Sequence, residues 1–371
     1  MATRLTRRQV LAWRMRRQLL DPVGALAVAE VVERLCGVQA QVASSAELAV
    51  RVRRKSSQPG EVDRALAEGR LVKTWAMRGT LHLLTPERGG AFLSLIAAGR
   101  PWHRPSWQRY FGATPAVMDR LRDAVLDELA GGPLTREEMA RRVVRRRGLA
   151  HVGEQLGSSW GTLLKPLAWQ GALVVGPSRG TRVTFMRPDR ASARWRPPPE
   201  PDEAAPLAIS AYLGAYGPAT IERFGAWLAG GWFGKRQLSS WVEQMKAELA
   251  EVEVEGQARY ALAADVDEMA ATGASSAVRL LPGFDQYVLG PGTADDEVTP
   301  AVRRSAVSRQ AGWIAPVVVA GGVVSGTWQL DGEVVRVAWF EEAGKPPSGR
   351  LSAEVKRLAG IVGRELRLEV G

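Results

Sequence analysis

Cysteine is almost absent from this chain: Cys36 stands alone in 371 residues. That excludes an internal disulfide framework and a thiolate metal cage, and it fits a reducing compartment, so a cytoplasmic protein is expected. Histidine is nearly as rare, and His82, His103 and His151 have spacings unlike a zinc site. No metal and no cofactor are expected. Lysine is scarce beside arginine, 7 against 43, which leaves few candidates for a Schiff-base nucleophile. No stretch approaches the roughly 18 apolar residues of a membrane span, and the basic start MATRLTRRQV leads into an amphipathic segment rather than a signal sequence; no membrane partner is expected. There is no glycine-rich phosphate loop with a following Lys-Ser/Thr and no G-x-S-x-G nucleophile elbow.

Arginine and apolar residues are plentiful. Forty-six per cent of the chain is hydrophobic and 24% charged, an ordinary composition with enough apolar mass for two or three cores. Fifty basic against 39 acidic residues give a net charge of +11, and the imbalance is lopsided. Residues 1–200 carry 34 basic and 17 acidic side chains, net +17, and residues 201–371 carry 16 and 22, net −6. A basic N-terminal half with a mildly acidic remainder points to a polyanion bound on one face.

One pattern recurs along the chain: about three helices, then two short strands around a tight turn. The first copy opens with a Thr6–Gln9 capping box, continues with helices near 25–36 and 44–55, the latter opened by a Ser44–Glu47 box, and closes in a hairpin around Gly79. The second has a helix near 115–130, a Thr135–Glu138 capping box opening an arginine-rich helix through Arg147, and a helix over 154–169 with Trp160, Leu163, Leu164, Leu167 and Trp169 at helical spacing. It closes in a hairpin around residues 176–180. The third has helices near 204–215, 218–229 and 235–250 and a hairpin at Glu255-Gly256. Helices followed by a hairpin describe the winged helix, whose best-known use is nucleic-acid binding. The expected architecture is α+β: a winged helix over 1–112, a second over 113–193, a proline-rich linker at 194–203, a third over 204–276, and a small β-rich cap over 277–371. A further hairpin at Gly321-Gly322 is a candidate to probe a groove.

The unusual local feature is Gln39-Ala40-Gln41, between Gly37 and a helix on the most basic part of the chain. In an extended segment, side chains at i and i+2 point the same way. Two carboxamides so placed could hold a water between them, or could simply satisfy backbone groups at the start of the next helix.

GVQAQVASSAELAVRVR, VKTWAMRGTLHLLTP, LLPGFDQYVLG and VVVAGGVVSGTW occur in the same order and at similar spacing as in the AlkZ/YcaQ-type winged-helix DNA glycosylases, and the chain resembles that family over essentially its whole length. The resemblance implies that Gln39 and Gln41 form the family's catalytic Gln-Φ-Gln motif, with Ala40 a small occupant of the middle position. It also implies excision of N7-alkylated purines and, in this branch, unhooking of interstrand crosslinks, in DNA repair or in self-resistance to a genotoxic natural product. The implied partner is double-stranded DNA carrying such lesions.

That chemistry suits the residues. A carboxamide is no strong base, but an N7-alkylguanine is already cationic and departs as a neutral base, leaving an oxocarbenium-like sugar. Such a site needs a positioned water and electron-rich oxygens, not a lysine nucleophile. A crosslinked base cannot be fully flipped out, so the Gln pair should be reachable from the surface. Arg51, Arg53 and Arg54 on the following helix, Arg142 and Arg146 on the arginine-rich helix, and Arg78, Thr80 and His82 alternating along the first hairpin are candidate DNA contacts. Asp285 in LPGFDQY reads as a turn or cap residue. A regulator without catalysis is the alternative, but three non-identical copies without a dimerisation helix argue for a monomer on asymmetric DNA.

Overall fold

The computed structural model describes residues 3–158 and 161–371; Trp160, placed above in a helix, lies outside the described residues. Strand β1 (Thr3–Leu5) leads into α1 (Arg7–Arg17), and the Thr6–Gln9 capping box forms as expected. Helix α2 (Val28–Arg34) is followed by β2 (Val38–Gln39) and α3 (Ala43–Arg51). The Ser44–Glu47 box does not form. The helix opens at Ala43 with Val42 as its N-cap, so Ser44 already sits inside the first turn, and the Glu47 carboxylate accepts from the Gly60 amide at 3.0 Å instead.

Helix α4 (Glu61–Ala67) precedes the expected hairpin of β3 (Val72–Trp75) and β4 (Leu81–Leu84). Then come α5 (Gly89–Ala98), α6 (Pro105–Phe111), α7 (Pro115–Leu129), β5 (Leu134–Thr135) and α8 (Arg136–Val143). The Thr135–Glu138 capping box is present, but α8 ends at Val143, so Arg145, Arg146 and Arg147 lie beyond it. The one helix expected over 154–169 is two, α9 (Gly153–Gly157) and α10 (Leu164–Trp169). Gly161 lies between them with φ +61°, where a Cβ would come within 2.6 Å of the Trp75 ring and force it to move, so glycine suits the position.

The second hairpin is β6 (Val174–Arg179) with β7 (Arg182–Met186), followed by α11 (Pro188–Ala191). Helix α12 (Pro201–Tyr216) begins inside the expected linker, since proline suits a first helical turn. Then follow α13 (Ile221–Ala229), α14 (Lys235–Gln244), which stops short of the expected residue 250, and the hairpin of β8 (Leu249–Val254) and β9 (Gln257–Leu262). The C-terminal elements are α15 (Val266–Ala270), β10 (Val278–Leu281), α16 (Gln286–Leu289), α17 (Arg304–Val307), β11 (Val317–Ala320), β12 (Val323–Asp331), β13 (Val334–Trp339), α18 (Ser348–Val362) and β14 (Arg367–Val370).

Two compact units result, and their limits are not those of the expected segments. One comprises residues 1–61, 209–227 and 234–371; the other comprises 62–208 and 228–233. In the first unit, described strands assort into β1-β8-β9 and β10-β11-β12-β13-β14. The second sheet alternates in the manner of a two-faced strand array. Val317 and Val319 face a core that includes Leu11 and Met15 of α1 and Val52. Val318, Val335 and Val337 face Leu351, Val355 and Leu358 of α18. The opposite side of α1, through Val10 and Trp13, packs on Val252 and Val254 of β8. The C-terminal segment is therefore not a separate cap, because it shares its core with α1. The Gly321-Gly322 turn is likewise no free probe: a Cβ on Gly322 (φ +90°) would lie 2.7 Å from Leu11, and the Tyr287 hydroxyl donates to the Gly322 carbonyl at 2.7 Å.

In the second unit the two hairpins join in one sheet, with β4-β3-β6-β7-β5 in sequence and Lys73 opposite Val175. Trp75 and Phe185 stack across it with centroids 5.6 Å apart. This pairing of β3 with β6 is why a boundary at residue 112 does not separate compact bodies.

Candidate active site

Gln39 ends β2, and Gln41 lies in the bend that leads to α3. The extended stretch is thus shorter than the i, i+2 argument requires. Gln39 is buried at 7% exposure, whereas Gln41 is exposed, so the expectation that the pair is reachable from the surface holds for Gln41 and is corrected for Gln39. The Gln39 Oε1 is fully enclosed and accepts no hydrogen bond from the described residues. A buried acceptor left unmatched costs on the order of 1–3 kcal/mol, so the atom calls for a bound water or a role in the site; Gln286 and Thr299 carry enclosed, unmatched polar atoms as well.

The local sequence sets this segment firmly. Cys36 (φ 56°) and Gly37 (φ 104°) are both left-handed and reverse the chain between α2 and β2, and the Gly37 amide returns to the Val32 carbonyl at 2.8 Å. The Cys36 thiol is buried, and burial pushes its pKa up, which makes it a small apolar filler rather than a nucleophile. From α12, the Tyr216 hydroxyl donates to the Leu35 carbonyl at the head of this turn. Burial raises the Tyr216 pKa well above that of a free phenol, so the donor keeps its proton. Arg14 of α1, 1% exposed, holds the end of α12 by donating to the Tyr216 and Pro218 carbonyls at 2.9 and 3.0 Å.

The three arginines after the motif are clamps, which corrects their reading as phosphate contacts. Arg53 is fully buried and forms a two-pronged pair with Asp285, at 2.7 Å on each side. Arg51, 8% exposed, donates to the Ile361 carbonyl and to Ser57 at 3.2 Å. Arg54 donates to the Leu26 carbonyl at 2.8 Å and pairs with Glu61. Enclosed or paired in this way, they fix the C-terminal end of α3, and through it the Gln segment. Asp285 does cap a helix, accepting from the Tyr287 amide at 2.8 Å, but its second role, as counter-ion to Arg53, has no local signal.

In the second unit the Arg78, Thr80 and His82 alternation does not hold. Arg78 is exposed in the tight turn with φ 53°. The half-buried Thr80 spends its hydroxyl on the Met77 carbonyl at 3.1 Å. His82 has no exposed surface; its Nδ1 lies 3.0 Å from the Thr80 carbonyl, and burial lowers its pKa to about 3. A neutral, enclosed imidazole is no phosphate contact, so His82 is corrected to a core residue. Arg142 and Arg146 are half exposed and converge on Glu128, at 4.0 and 2.8 Å, with Asp127 3.5 Å from Arg146. They are accessible, but their charge is largely answered by acids.

Residues 32–361 match the family described as DNA glycosylase AlkZ-like. The chain belongs to the AlkZ-like DNA glycosylases. It is accordingly an enzyme, and the reading as a regulator without catalysis gives way. This AlkZ-like chain is 48% identical over 357 residues to the interstrand DNA cross-link repair glycosylase of Streptomyces sahachiroi, with 96% of each chain covered. Its mixed α+β fold matches the solved structure of the Streptomyces sahachiroi DNA glycosylase AlkZ, with a TM-score of 0.97 and 46% identity over the full length of both. No described helix of the AlkZ-like chain is long and apolar enough to cross a membrane.

Proposed function

We propose that the chain hydrolyses the N-glycosidic bond of N7-alkylated purines in DNA, including guanines tied into interstrand crosslinks, and that Gln39 and Gln41 carry the reaction. The observation behind this reading is the enclosed, unmatched Oε1 of Gln39 two residues before the exposed Gln41. The printed name of the Streptomyces relative, an interstrand DNA cross-link repair glycosylase, supports the substrate class.

In this mechanism the C1′–N9 bond breaks with its electron pair going to the base, which leaves neutral. A water adds to C1′ of the oxocarbenium-like sugar and gives its proton to solvent. The exposed Gln41 amide orients that water, and the enclosed carboxamide oxygen of Gln39 adds partial negative charge near the developing cation. No covalent enzyme intermediate forms, and the product is an abasic site in an unbroken strand. The three helix-and-hairpin repeats act as winged helices that hold the duplex, and the enzyme works as a monomer. Arg78, Arg142 and Arg146 are the candidates for phosphate contact that remain accessible.

Two duplexes test this, one with a single N7-methylguanine and one with an N7-guanine crosslink, each incubated with enzyme in EDTA and then heated in alkali. Alkali-dependent cleavage by wild type that collapses in both Gln39→Ala and Gln41→Ala is the expected result. Cleavage that persists in both variants, or strand breaks without alkali, overturns the assignment.

A further inference from the structure

Helix α6 buries none of its seven residues, yet its sequence PSWQRYF is rich in aromatic rings. Tyr110 is 77% exposed. It meets Phe111 edge-on with centroids 4.7 Å apart, and Phe111 meets Trp107 at 4.6 Å. Beside them Arg104 lies over the ring of Trp232, 5.7 Å from its centroid, and Trp232 is itself 44% exposed. Aromatic surface held open to water at this scale marks an interaction site.

The charge around it selects the partner. Residues 88–118 contain four arginines and no acidic residue, and Arg109 has no ion pair among the described residues. A protein partner would need an acidic, apolar face. A nucleic acid supplies phosphates for the arginines and a π-face for the rings. A duplex hides its base faces, so the exposed ring requires a base that has lost its stacking partner.

We infer that α6 is a docking surface for an unpaired nucleotide of damaged DNA, with Tyr110 stacking on the base and Arg104 and Arg109 on the flanking phosphates. This rests on DNA being the substrate. It assigns to the second unit a contact that reads the distortion around a lesion rather than the lesion's chemistry.

Fluorescence anisotropy across a salt series, with an intact duplex and the same duplex carrying a short single-stranded gap, tests it. Wild type is compared with Tyr110→Ala, Tyr110→Phe and Arg109→Gln. The expected result is that Tyr110→Ala weakens binding to gapped DNA about tenfold, near 1.4 kcal/mol, and to intact duplex less than about twofold. Tyr110→Phe keeps the ring and restores the wild-type value, and Arg109→Gln lowers the salt slope by about 0.7–0.9. Equal affinity of wild type and Tyr110→Ala for gapped DNA overturns the inference while leaving the glycosylase reading intact. A wild-type dimer that Tyr110→Ala dissociates assigns the surface to a second copy and also overturns it. Failure of wild type to bind either DNA overturns both readings.

Discussion

Arg53 and Asp285, 232 residues apart in the chain, form a two-pronged ion pair with both contacts at 2.7 Å and neither side chain exposed. Arg53 also donates to the Ala49 carbonyl within α3 at 2.7 Å, and Asp285 also caps the turn at Tyr287. The pair thus joins the helix after the Gln motif to the loop that starts α16.

Removing one partner strands a charge in a dry interior, which costs about 3–5 kcal/mol. Asp285→Asn and Arg53→Met should each lower the unfolding midpoint sharply, and the double change Arg53→Met with Asp285→Leu should be less damaging than either alone. Thermal unfolding monitored by circular dichroism checks this. Arg53→Met protein folded at low temperature should keep the wild-type salt dependence of DNA binding, since its guanidinium touches no phosphate.

Tyr216 acts on the motif from a distance. Tyr216→Phe leaves the Leu35 carbonyl without its donor, a loss of about 1–3 kcal/mol for a buried group. The reversal that presents Gln39 should loosen, and the single-turnover excision rate should fall roughly tenfold or more while the Kd for DNA stays near wild type. A matching loss of DNA affinity would contradict a role confined to positioning the motif.

The imidazole of His82 is neutral in the folded protein at working pH, because burial holds its pKa near 3 against 6.5 for the free group. The unfolded chain takes up this proton as pH falls below about 6.5, and the folded chain does not until about 3. His82 therefore supports the fold above 6.5 and erodes stability as the solution is acidified from there toward 3, by up to roughly 1.4 kcal/mol per pH unit. His82→Leu should flatten the stability profile between those limits in urea titrations at a series of pH values, without altering the pH profile of excision.

Glu128 answers both Arg142 and Arg146. If this face meets the phosphate backbone as proposed, Glu128→Gln removes the acid that answers both guanidiniums and leaves Arg146 with Asp127 at 3.5 Å, so affinity for random duplex should rise and the salt slope should steepen by about 1. Anisotropy against salt concentration checks it; an unchanged slope would move the duplex off this face.

Much of the chain was legible locally. The capping boxes at Thr6 and Thr135 and the hairpins at Gly79, residues 176–180 and Glu255-Gly256 are written in residues within a few positions of one another, where turn chemistry and hydrogen-bonding reach decide the conformation. The Ser44 box failed because Val42 already occupies the cap position.

What the linear order could not decide was which side chains the fold would enclose. Arg51, Arg53 and Arg54 have the composition of a DNA-binding helix end, yet Arg51 and Arg53 find partners at Ile361 and Asp285, hundreds of residues away, and only the closed core brings them together. His82 sits on a strand whose outer or inner face depends on which sheet it joins. The sequence by itself determined the repeating elements and the basic half, because these follow from local spacing and charge, and its resemblance to a family singled out the Gln pair. The tertiary structure alone decided which arginines stay at the surface and which are buried as counter-ions, because burial depends on contacts between segments far apart in the chain.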